Sequence, residues 1–351
     1  MVQDCATDRC DDGLAIVTED FTPPRWLRGA HVQSILPSLP LRRAMVERRA
    51  RPLLASSREL ILDCGDGVRL QAFFSPAPRN RTSDATLGQR LLAVLLHGWE
   101  GSAQSLYVLS LAQTLHDNGF DVVRLNLRDH GDTHHLNKEL FHSCRLPEVV
   151  GAIRRLQFLF PSHRLNLAGF SLGGNFMLRV AAEAPRAGID VAHAVGVSPV
   201  LDPANCLDAM ERGWSLYHDY FVRKWLRSLR LKQRAWPGQF EFDELISSRN
   251  LREMTRELVL RHAGFDRVED YFRGYAITED RLADLVVPST LITALDDPII
   301  PAGDLSRLAT PPALRVIVTE TGGHCGFFDS LSGPGWADRM ILRELQQSAA
   351  A

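Results

Sequence analysis

Residues 165–175 read Leu-Asn-Leu-Ala-Gly-Phe-Ser-Leu-Gly-Gly-Asn, and the five at 169–173 fit the pattern Gly-x-Ser-x-Gly. Alternating apolar residues come before this pattern and residues of good helical propensity follow it, so the segment predicts a strand, a sharp turn and a helix. Glycines flank the serine because larger side chains would clash in such a turn. The turn is expected to lift the hydroxyl of Ser171 out of the sheet and to place the amide of Leu172 at the start of the following helix.

The rest of the chain repeats this alternation of strand and helix. A pair of strands joined by a Gly-Asp-Gly turn is predicted within 58–74, and the further predicted strands are 90–96, 121–127, 191–200, 289–295 and 314–320. The predicted helices between and after them are 104–118, 146–160 and 336–347. This alternation indicates right-handed crossovers and a mostly parallel central sheet with helices on both faces.

The alternation stops between residues 201 and 284, where only helical patterns occur. We therefore predict a helical cap, 201–284, inserted into an α/β core made of 23–200 and 285–351. Residues 1–22 are polar and aperiodic and are expected to be loosely ordered. The next stretch mixes apolar residues with prolines, which suggests an arm packed on the core.

Composition excludes several classes of function. The chain has 351 residues, with 40 Lys+Arg against 42 Asp+Glu and a net charge of −2, so no general attraction to nucleic acid is expected. The six cysteines show no Cys-x-x-Cys spacing, which argues against a disulfide framework or a zinc site. The acidic N-terminus does not resemble a secretory signal, and no apolar run reaches the roughly 20 residues that span a bilayer. A cytoplasmic protein without cofactor is the expectation.

The motif at Ser171 requires partners, because a serine hydroxyl at neutral pH needs a base to take its proton and an acid to orient that base. In an open α/β sheet these residues come from loops at the carboxyl ends of strands, in the order serine, acid, histidine. His324 follows the strand 314–320 within Thr-Gly-Gly-His-Cys-Gly. We assign it as general base and then general acid.

The acid is expected just after the strand 289–295, where Asp296 and Asp297 are adjacent. Asp297 is preferred because Asp-Pro-Ile-Ile-Pro begins a turn whose first residue can reach back across the strand ends. Asp296 would then be solvated or hydrogen-bond the turn, although it remains the alternative triad acid.

An oxyanion formed at the serine needs two hydrogen-bond donors. One is expected to be the amide of Leu172. The other is expected from His97-Gly98-Trp99, which follows the strand 90–96, and we assign it to the amide of Trp99. An ordinary glycine turn is the alternative interpretation of this loop.

The loop after the strand 121–127 is rich in histidine, and metal binding is an alternative role for these histidines. Its histidines lack the His-x-x-x-His spacing of helical zinc sites, so no metal is expected, and Arg128 and His142 are instead expected to order the loop beside the active site. The residues considered as ligands are His130, His134, His135, His142, Asp129 and Asp132.

Within the predicted cap, residues 220–234 are basic and amphipathic. They could lie on lipid or guide acyl substrates, which would make peripheral membrane contact possible. The favoured interpretation is that Trp225 and Leu229 pack on the core and leave a solvated basic face.

Taken together, these segments resemble the α/β-hydrolase superfamily, and within it the YheT-like branch related to the mammalian abhydrolase-domain proteins one and three. The similarity runs in order over about residues 24–330. Its pieces are Arg28-Gly-Ala-His-Val-Gln-Ser-Ile-Leu-Pro, His97-Gly-Trp-Glu-Gly-Ser, Asn126-Leu-Arg, Phe141-His-Ser, Gly169-Phe-Ser-Leu-Gly-Gly-Asn, Gly264-Phe, Glu269-Asp-Tyr-Phe, Asp296-Asp-Pro and Gly322-Gly-His-Cys-Gly-Phe.

The resemblance implies a Ser-Asp-His hydrolase in which Ser171, Asp297 and His324 match the charge-relay positions. The chain departs from the family pattern at two places. It has Arg128-Asp-His-Gly where the family more usually has Arg-Gly-Cys-Ser-Gly, and Phe141-His-Ser-Cys where the family more usually has Tyr-His-Ser-Gly. Both departures lie in the loop beside the pocket, so they bear on the substrate rather than on the chemistry.

The function expected from the sequence is hydrolysis of a carboxylic ester, from a small molecule or a lipid, through an acyl-enzyme. Acyl transfer and thioester cleavage on the same triad are alternatives within enzymes. A non-catalytic binding protein with the same fold is the alternative outside them. The sequence assigns no substrate-binding residues.

Overall fold

The computed structural model describes residues 15–36, 39–78 and 89–350. Residues 1–14, which are most of the segment expected to be loosely ordered, lie outside the described residues, as do 37–38, 79–88 and 351.

A mixed sheet of nine strands forms the centre, in the order β1-β9-β8-β7-β6-β4-β5-β3-β2. Among the described strands only β3 is antiparallel to its neighbours, β2 and β5, so the mostly parallel sheet is confirmed. The strands are β1 (Ala15–Thr18), β2 (Arg58–Asp63), β3 (Arg69–Ser75), β4 (Arg90–Leu96), β5 (Asp121–Leu125), β6 (His163–Phe170), β7 (Val191–Val197), β8 (Ser289–Ala294) and β9 (Leu314–Thr319).

Helices cover both faces of this sheet, as the sequence predicts. One face packs against α5 and α6, and the other against α2, α4 and α12. The helices are α1 (Ala30–Ile35), α2 (Pro40–Arg49), α3 (Arg51–Ala55), α4 (Leu106–Asp117), α5 (Leu146–Leu159), α6 (Leu172–Ala187), α7 (Pro203–Arg212), α8 (Ser215–Ala235), α9 (Asp243–Ser248), α10 (Leu251–His262), α11 (Val268–Tyr275) and α12 (Trp336–Ala350).

The expectation of a loosely ordered N-terminus is wrong for its last part. Ala15–Thr18 form β1, which pairs in parallel with β9 at the edge of the sheet. The four-residue strand is too short to show a hydrophobic period in the sequence. Its order comes from the hydrogen bonds that β9 offers, which is a tertiary effect.

The strand order determines where the loops that follow the strands meet. Because β4, β6, β8 and β9 are parallel, their carboxyl ends lie at the same edge of the sheet. The segments that follow them begin at His97, Ser171, Leu295 and Glu320. Every residue expected to take part in the chemistry is in one of these four segments.

The helices α7 to α11 fall in the segment for which a cap is predicted, and α8 is its longest helix. Trp225 and Leu229 of α8 are buried, as the core-packing interpretation expects. Lys232 of α8 is also buried, and its ammonium donates to the Asp129 carboxylate at 2.8 Å and to the carbonyl of Asn137 at 2.6 Å. A buried charge held by this many oxygens fixes α8 to the loop after β5.

No helix among the described residues combines the length and the apolar character needed to cross a membrane.

Candidate active site

The turn between β6 and α6 has the strained geometry that its sequence predicts. Ser171 adopts φ 53° and ψ −120°, in a region that side-chain-bearing residues rarely occupy. A Cβ at Gly169 would lie 2.3 Å from the carbonyl oxygen of Gly173, and one at Gly173 would lie 2.4 Å from that of His97. Both positions therefore exclude any side chain.

Three side chains that are far apart in the sequence meet at the edge of the sheet. The Oγ of Ser171 lies 3.0 Å from Nε2 of His324. The Nδ1 of His324 lies 2.9 Å from Oδ2 and 3.2 Å from Oδ1 of Asp297. If Nδ1–H donates to the carboxylate, Nε2 is left to accept a proton from the serine, which is the arrangement needed for proton relay.

Electrostatics favour protonation of this histidine. Burial is the largest single influence and disfavours the charged ring, but the Asp297 carboxylate and Cys325 together more than offset it, so the pKa of His324 lies well above its usual value. An imidazolium formed by transfer of a proton from the serine would therefore be stabilised where it forms.

The two adjacent aspartates point to different partners. The Oδ1 of Asp297 accepts from the amides of Ile299 and Ile300 at 2.8 and 3.0 Å, so this carboxylate is held in place facing the histidine. The Oδ1 of Asp296 accepts from the amide of Gly323 at 2.8 Å. Asp296 thus holds the loop that carries the histidine rather than the histidine ring itself.

The arm that precedes the core supports the same loop. The Oγ of Ser34 accepts from the amide of His324 at 2.8 Å. The buried side chain of Gln33 donates to the carbonyl of Phe328 at 2.8 Å and accepts from its amide at 2.7 Å. Sequence reasoning predicted an arm on the core but not these contacts, although both residues lie in one of the segments that carry the family resemblance.

Two backbone amides flank the serine and could receive an oxyanion. Leu172 is the first residue of α6, and the first amides of a helix have no partner within it. The amide of Trp99 has no hydrogen-bond partner among the described residues. A Cβ at Gly98 would come within 3.1 Å of the Cβ of Ser171, so the loop after β4 packs directly against the serine.

A buried histidine sets the start of this loop. The Nδ1 of His97 donates to the carbonyl of Gly98 at 2.7 Å, and its Nε2 accepts from the amide of Leu127 at 3.2 Å. Burial lowers the pKa of His97 well below its usual value, so the ring is neutral and can both donate and accept.

A second neutral histidine holds the other end of the loop. The Nδ1 of His130 donates to the carbonyl of Arg128 at 2.7 Å, and its Nε2 accepts from the amide of Glu100 at 3.1 Å. Burial lowers the pKa of His130 to about 4. His97 and His130 therefore fix the residues on either side of Trp99. From the sequence His130 is expected only as a candidate metal ligand, since nothing local indicates this contact.

We expect His130→Phe to reduce kcat for ester hydrolysis by roughly 10- to 100-fold while KM changes less, because a misplaced oxyanion donor weakens transition-state binding. His130→Gln keeps an acceptor for the amide of Glu100 and should recover part of the loss. Steady-state kinetics on the three proteins test this. Equal activity of the Phe variant and the wild type would show that the histidine does not position the loop.

Two other residues of the histidine-rich loop, Arg128 and His134, make contacts that hold the loop and the cap, and a third, His142, faces the cavity. Arg128 pairs with the Glu148 carboxylate at 2.7 Å and orders the loop, as expected. His134 lies 2.9 Å from the hydroxyl of Ser228 on α8. His142 lines the cavity described next. No group of three histidine, cysteine, aspartate or glutamate side chains in the described ranges is arranged to hold a metal ion.

A mostly apolar cavity of about 100 Å³ lies between Ser171 and the cap. Trp99, Leu172 and residues 141–143 form its core side. Its cap side includes Leu207, Met210, Phe221, Trp225, Leu258 and Tyr275. The sequence could not identify this lining, because side chains from several cap helices meet only after the cap has folded.

Polar contacts join the cap to the core around this cavity. The hydroxyl of Tyr271 donates to Oγ of Ser143 at 3.1 Å. The side-chain amide of Asn175 donates to the carbonyls of Val200 and Tyr275, both at 2.8 Å. Segments that carry the family resemblance, far apart in the sequence, thus contact one another at the wall of the cavity.

Comparison with known proteins finds similarity to α/β hydrolases over most of the chain. A family model described as alpha/beta hydrolase fold matches residues 94–331. The YheT protein of Escherichia coli (strain K12) is 28% identical over 313 residues, covering 88% of this chain and 87% of that protein. A monoacylglycerol lipase of Saccharomyces cerevisiae is 24% identical over 295 residues, covering 80% of this chain and 64% of the lipase.

Solved structures resemble the chain in fold. A bacterial membrane phospholipase A superposes with a TM-score of 0.55 at 18% identity, covering 92% of this chain and 95% of that chain. The esterase Pf2001 of Pyrococcus furiosus superposes with a TM-score of 0.53 at 15% identity, covering 83% and 90%. At these identities the similarity shows the architecture alone.

Proposed function

The chain belongs to the α/β-hydrolase fold family, in its YheT-like, abhydrolase-domain branch, and from this premise we propose that it is a serine hydrolase that cleaves a carboxylic ester. The observation that carries the proposal is the chain of contacts from Ser171 through His324 to Asp297, at 3.0 and 2.9 Å. Such a chain activates a serine hydroxyl that is otherwise a poor nucleophile.

In the proposed reaction, Oγ of Ser171 attacks the ester carbonyl carbon as His324 takes the hydroxyl proton. The amides of Trp99 and Leu172 donate to the oxygen of the tetrahedral intermediate, and a donor of this kind typically contributes 10²- to 10³-fold in rate. Collapse breaks the ester bond, and His324 gives its proton to the departing alcohol. Water, deprotonated by the same ring, then attacks the acyl carbon. The bond between that carbon and Oγ of Ser171 breaks, His324 returns its proton to Oγ, and the acid is released.

The cavity supports an acyl substrate with an apolar chain. Its cap side is formed mainly by aliphatic and aromatic side chains, which favour contact with hydrocarbon. The similarity to a monoacylglycerol lipase agrees with a lipid or small-molecule ester as substrate. Thioester cleavage and acyl transfer would use the same three residues and differ only in leaving group and acceptor.

A panel of substrates tests the proposal. The purified protein is offered p-nitrophenyl esters with short to long acyl chains, matched acyl thioesters, and each ester with and without an added alcohol. We expect ester hydrolysis to have the highest kcat/KM. A higher kcat/KM on the thioesters, or acyl transfer that exceeds hydrolysis, would favour the alternative enzymes, and a folded protein that turns over no substrate would favour a binding role.

A further inference from the structure

One face of α8 points away from the protein and carries a continuous stripe of exposed side chains. Its members are separated by steps of four, three, four, three and four residues, so they fall within about 80° of the helix circumference at 100° per residue. This face is opposite Trp225 and Leu229, which are buried against the core. The stripe consists of Leu216, Tyr220, Arg223, Arg227, Arg230 and Arg234.

The last four members, which we call the arginine stripe, have no carboxylate partner within 4 Å among the described residues. Elsewhere on the cap, exposed Arg252 pairs with both Asp208 and Glu211. Arginines spaced three and four residues apart on a helix repel one another. In a chain of net charge −2, this face therefore concentrates four positive charges that form no ion pair among the described residues, and the nearest acidic residue along the helix is Asp219, one turn before Arg223.

The start of α8 carries exposed apolar side chains, two of them on the stripe and the third, Trp214, at the N-cap and outside the arc of the stripe. The exposed fractions are 50% for Trp214, 37% for Leu216 and 41% for Tyr220. Val32 of the arm is 40% exposed, and the ring of its neighbour His31 lies 5.1 Å from the ring of Trp214. Large apolar side chains from the arm and the cap thus share one exposed surface.

This apolar end lies beside the active site. The arm that bears it holds the loop of His324 through Ser34. Phe221, next to Tyr220, lines the cavity, and its ring stacks on that of Trp99 with centroids 5.2 Å apart. A partner that covers the apolar end would therefore contact the protein close to the side chains that line the cavity.

We propose that this face of α8 docks on a bilayer that contains anionic phospholipid. Lipid phosphates neutralise the arginine stripe, while Leu216 and Tyr220 enter the interface between head groups and acyl chains. Positive charge along a helix with apolar side chains at one end matches such a surface. Nucleic acid would neutralise the arginines but would leave the apolar end uncovered. The inference goes beyond ester hydrolysis, because docking requires no turnover.

Co-sedimentation with vesicles tests the docking directly. The wild-type protein is compared on vesicles of phosphatidylcholine alone and of phosphatidylcholine mixed with phosphatidylglycerol. We expect binding to the mixed vesicles only, and weaker binding as salt rises. In Arg223→Gln/Arg227→Gln/Arg230→Gln/Arg234→Gln, the partition coefficient should fall at least tenfold, since each basic residue near an anionic surface contributes roughly fivefold.

Two matched variants make the test specific. Replacing the same four arginines with lysine keeps the charge and should retain most of the binding. A second variant changes four exposed arginines elsewhere to glutamine and should bind like wild type: Arg51, Arg58, Arg154 and Arg339. A melting temperature equal to that of the wild-type protein shows that each variant is folded.

Three results would overturn the proposal. The first is that wild-type protein binds the anionic vesicles no better than neutral ones, and the second is that the glutamine variant of the arginine stripe binds them as well as wild type. The third is that a DNA or RNA duplex displaces the protein from the vesicles at low concentration, which would assign the face to nucleic acid. Because none of these measurements requires catalysis, their failure is distinguishable from failure of the proposed hydrolysis.

Discussion

Ser171→Ala is expected to lower kcat for ester hydrolysis by roughly 10⁴-fold or more. The substitution removes the only nucleophile in the proposed reaction and leaves the amides of Trp99 and Leu172 and the apolar cavity intact. KM should therefore change little, because the substrate still binds. The measurement is kcat and KM for the best ester of the substrate panel.

The matched control is Ser143→Ala. Ser143 also lines the cavity, but its hydroxyl bonds Tyr271 rather than His324. We expect this variant to keep its activity within about tenfold of wild type, the cost of one neutral hydrogen bond. Substantial turnover by Ser171→Ala, in protein free of contaminating esterase, would remove the serine from the mechanism.

Asp297→Asn should reduce kcat/KM by roughly 10³- to 10⁴-fold, because an amide at this position no longer stabilises the imidazolium and can select the wrong tautomer of His324. The adjacent Asp296→Asn provides the control. Its side-chain oxygen can still accept from the amide of Gly323, so a loss of less than about tenfold is expected. The opposite ranking would make Asp296 the acid of the relay.

The pH dependence of the same variants checks the role of the carboxylate. Only the neutral ring of His324 can accept the serine proton, so kcat/KM should rise with pH as the ring loses its proton. The Asp297 carboxylate raises the pKa of the ring, which places this rise above the ordinary histidine range. In Asp297→Asn the rise in residual activity should move to lower pH. A rise that stays at the same pH would show that the carboxylate does not control the histidine.

The parts of the site that the sequence predicts are those with a strong local signal. The glycines around Ser171 are required sterically, because a side chain at these positions would clash in any chain that folds into this turn. His324 is identified by its position after a strand together with its flanking glycines. The choice between Asp296 and Asp297 is weaker, because neighbouring residues at a strand end point in different directions and their sequence context is almost the same.

The remaining parts depend on tertiary contacts that leave no local pattern. Nothing near His97 or His130 indicates that each ring holds one end of the loop containing Trp99. The strand Ala15–Thr18 is ordered by its pairing with β9. The lining of the cavity likewise arises from helices that meet only in the folded cap.

The two sequence interpretations of α8 are compatible. Trp225 and Leu229 pack against the core, as the favoured interpretation predicts. The arginine stripe on the opposite face remains available to an anionic surface, as the interpretation of this segment as a lipid-binding helix requires. An amphipathic helix that is anchored on one face can still bind a partner with the other, so burial of its apolar residues does not decide the role of its basic ones.

The most direct test of the proposed relay is covalent labelling of the folded protein with a fluorophosphonate, followed by peptide mass spectrometry. The account predicts one phosphonylated serine, Ser171, with labelling abolished in Ser171→Ala and slowed in Asp297→Asn. A folded wild-type protein that remains unmodified, or that carries the adduct on a different serine, would contradict it.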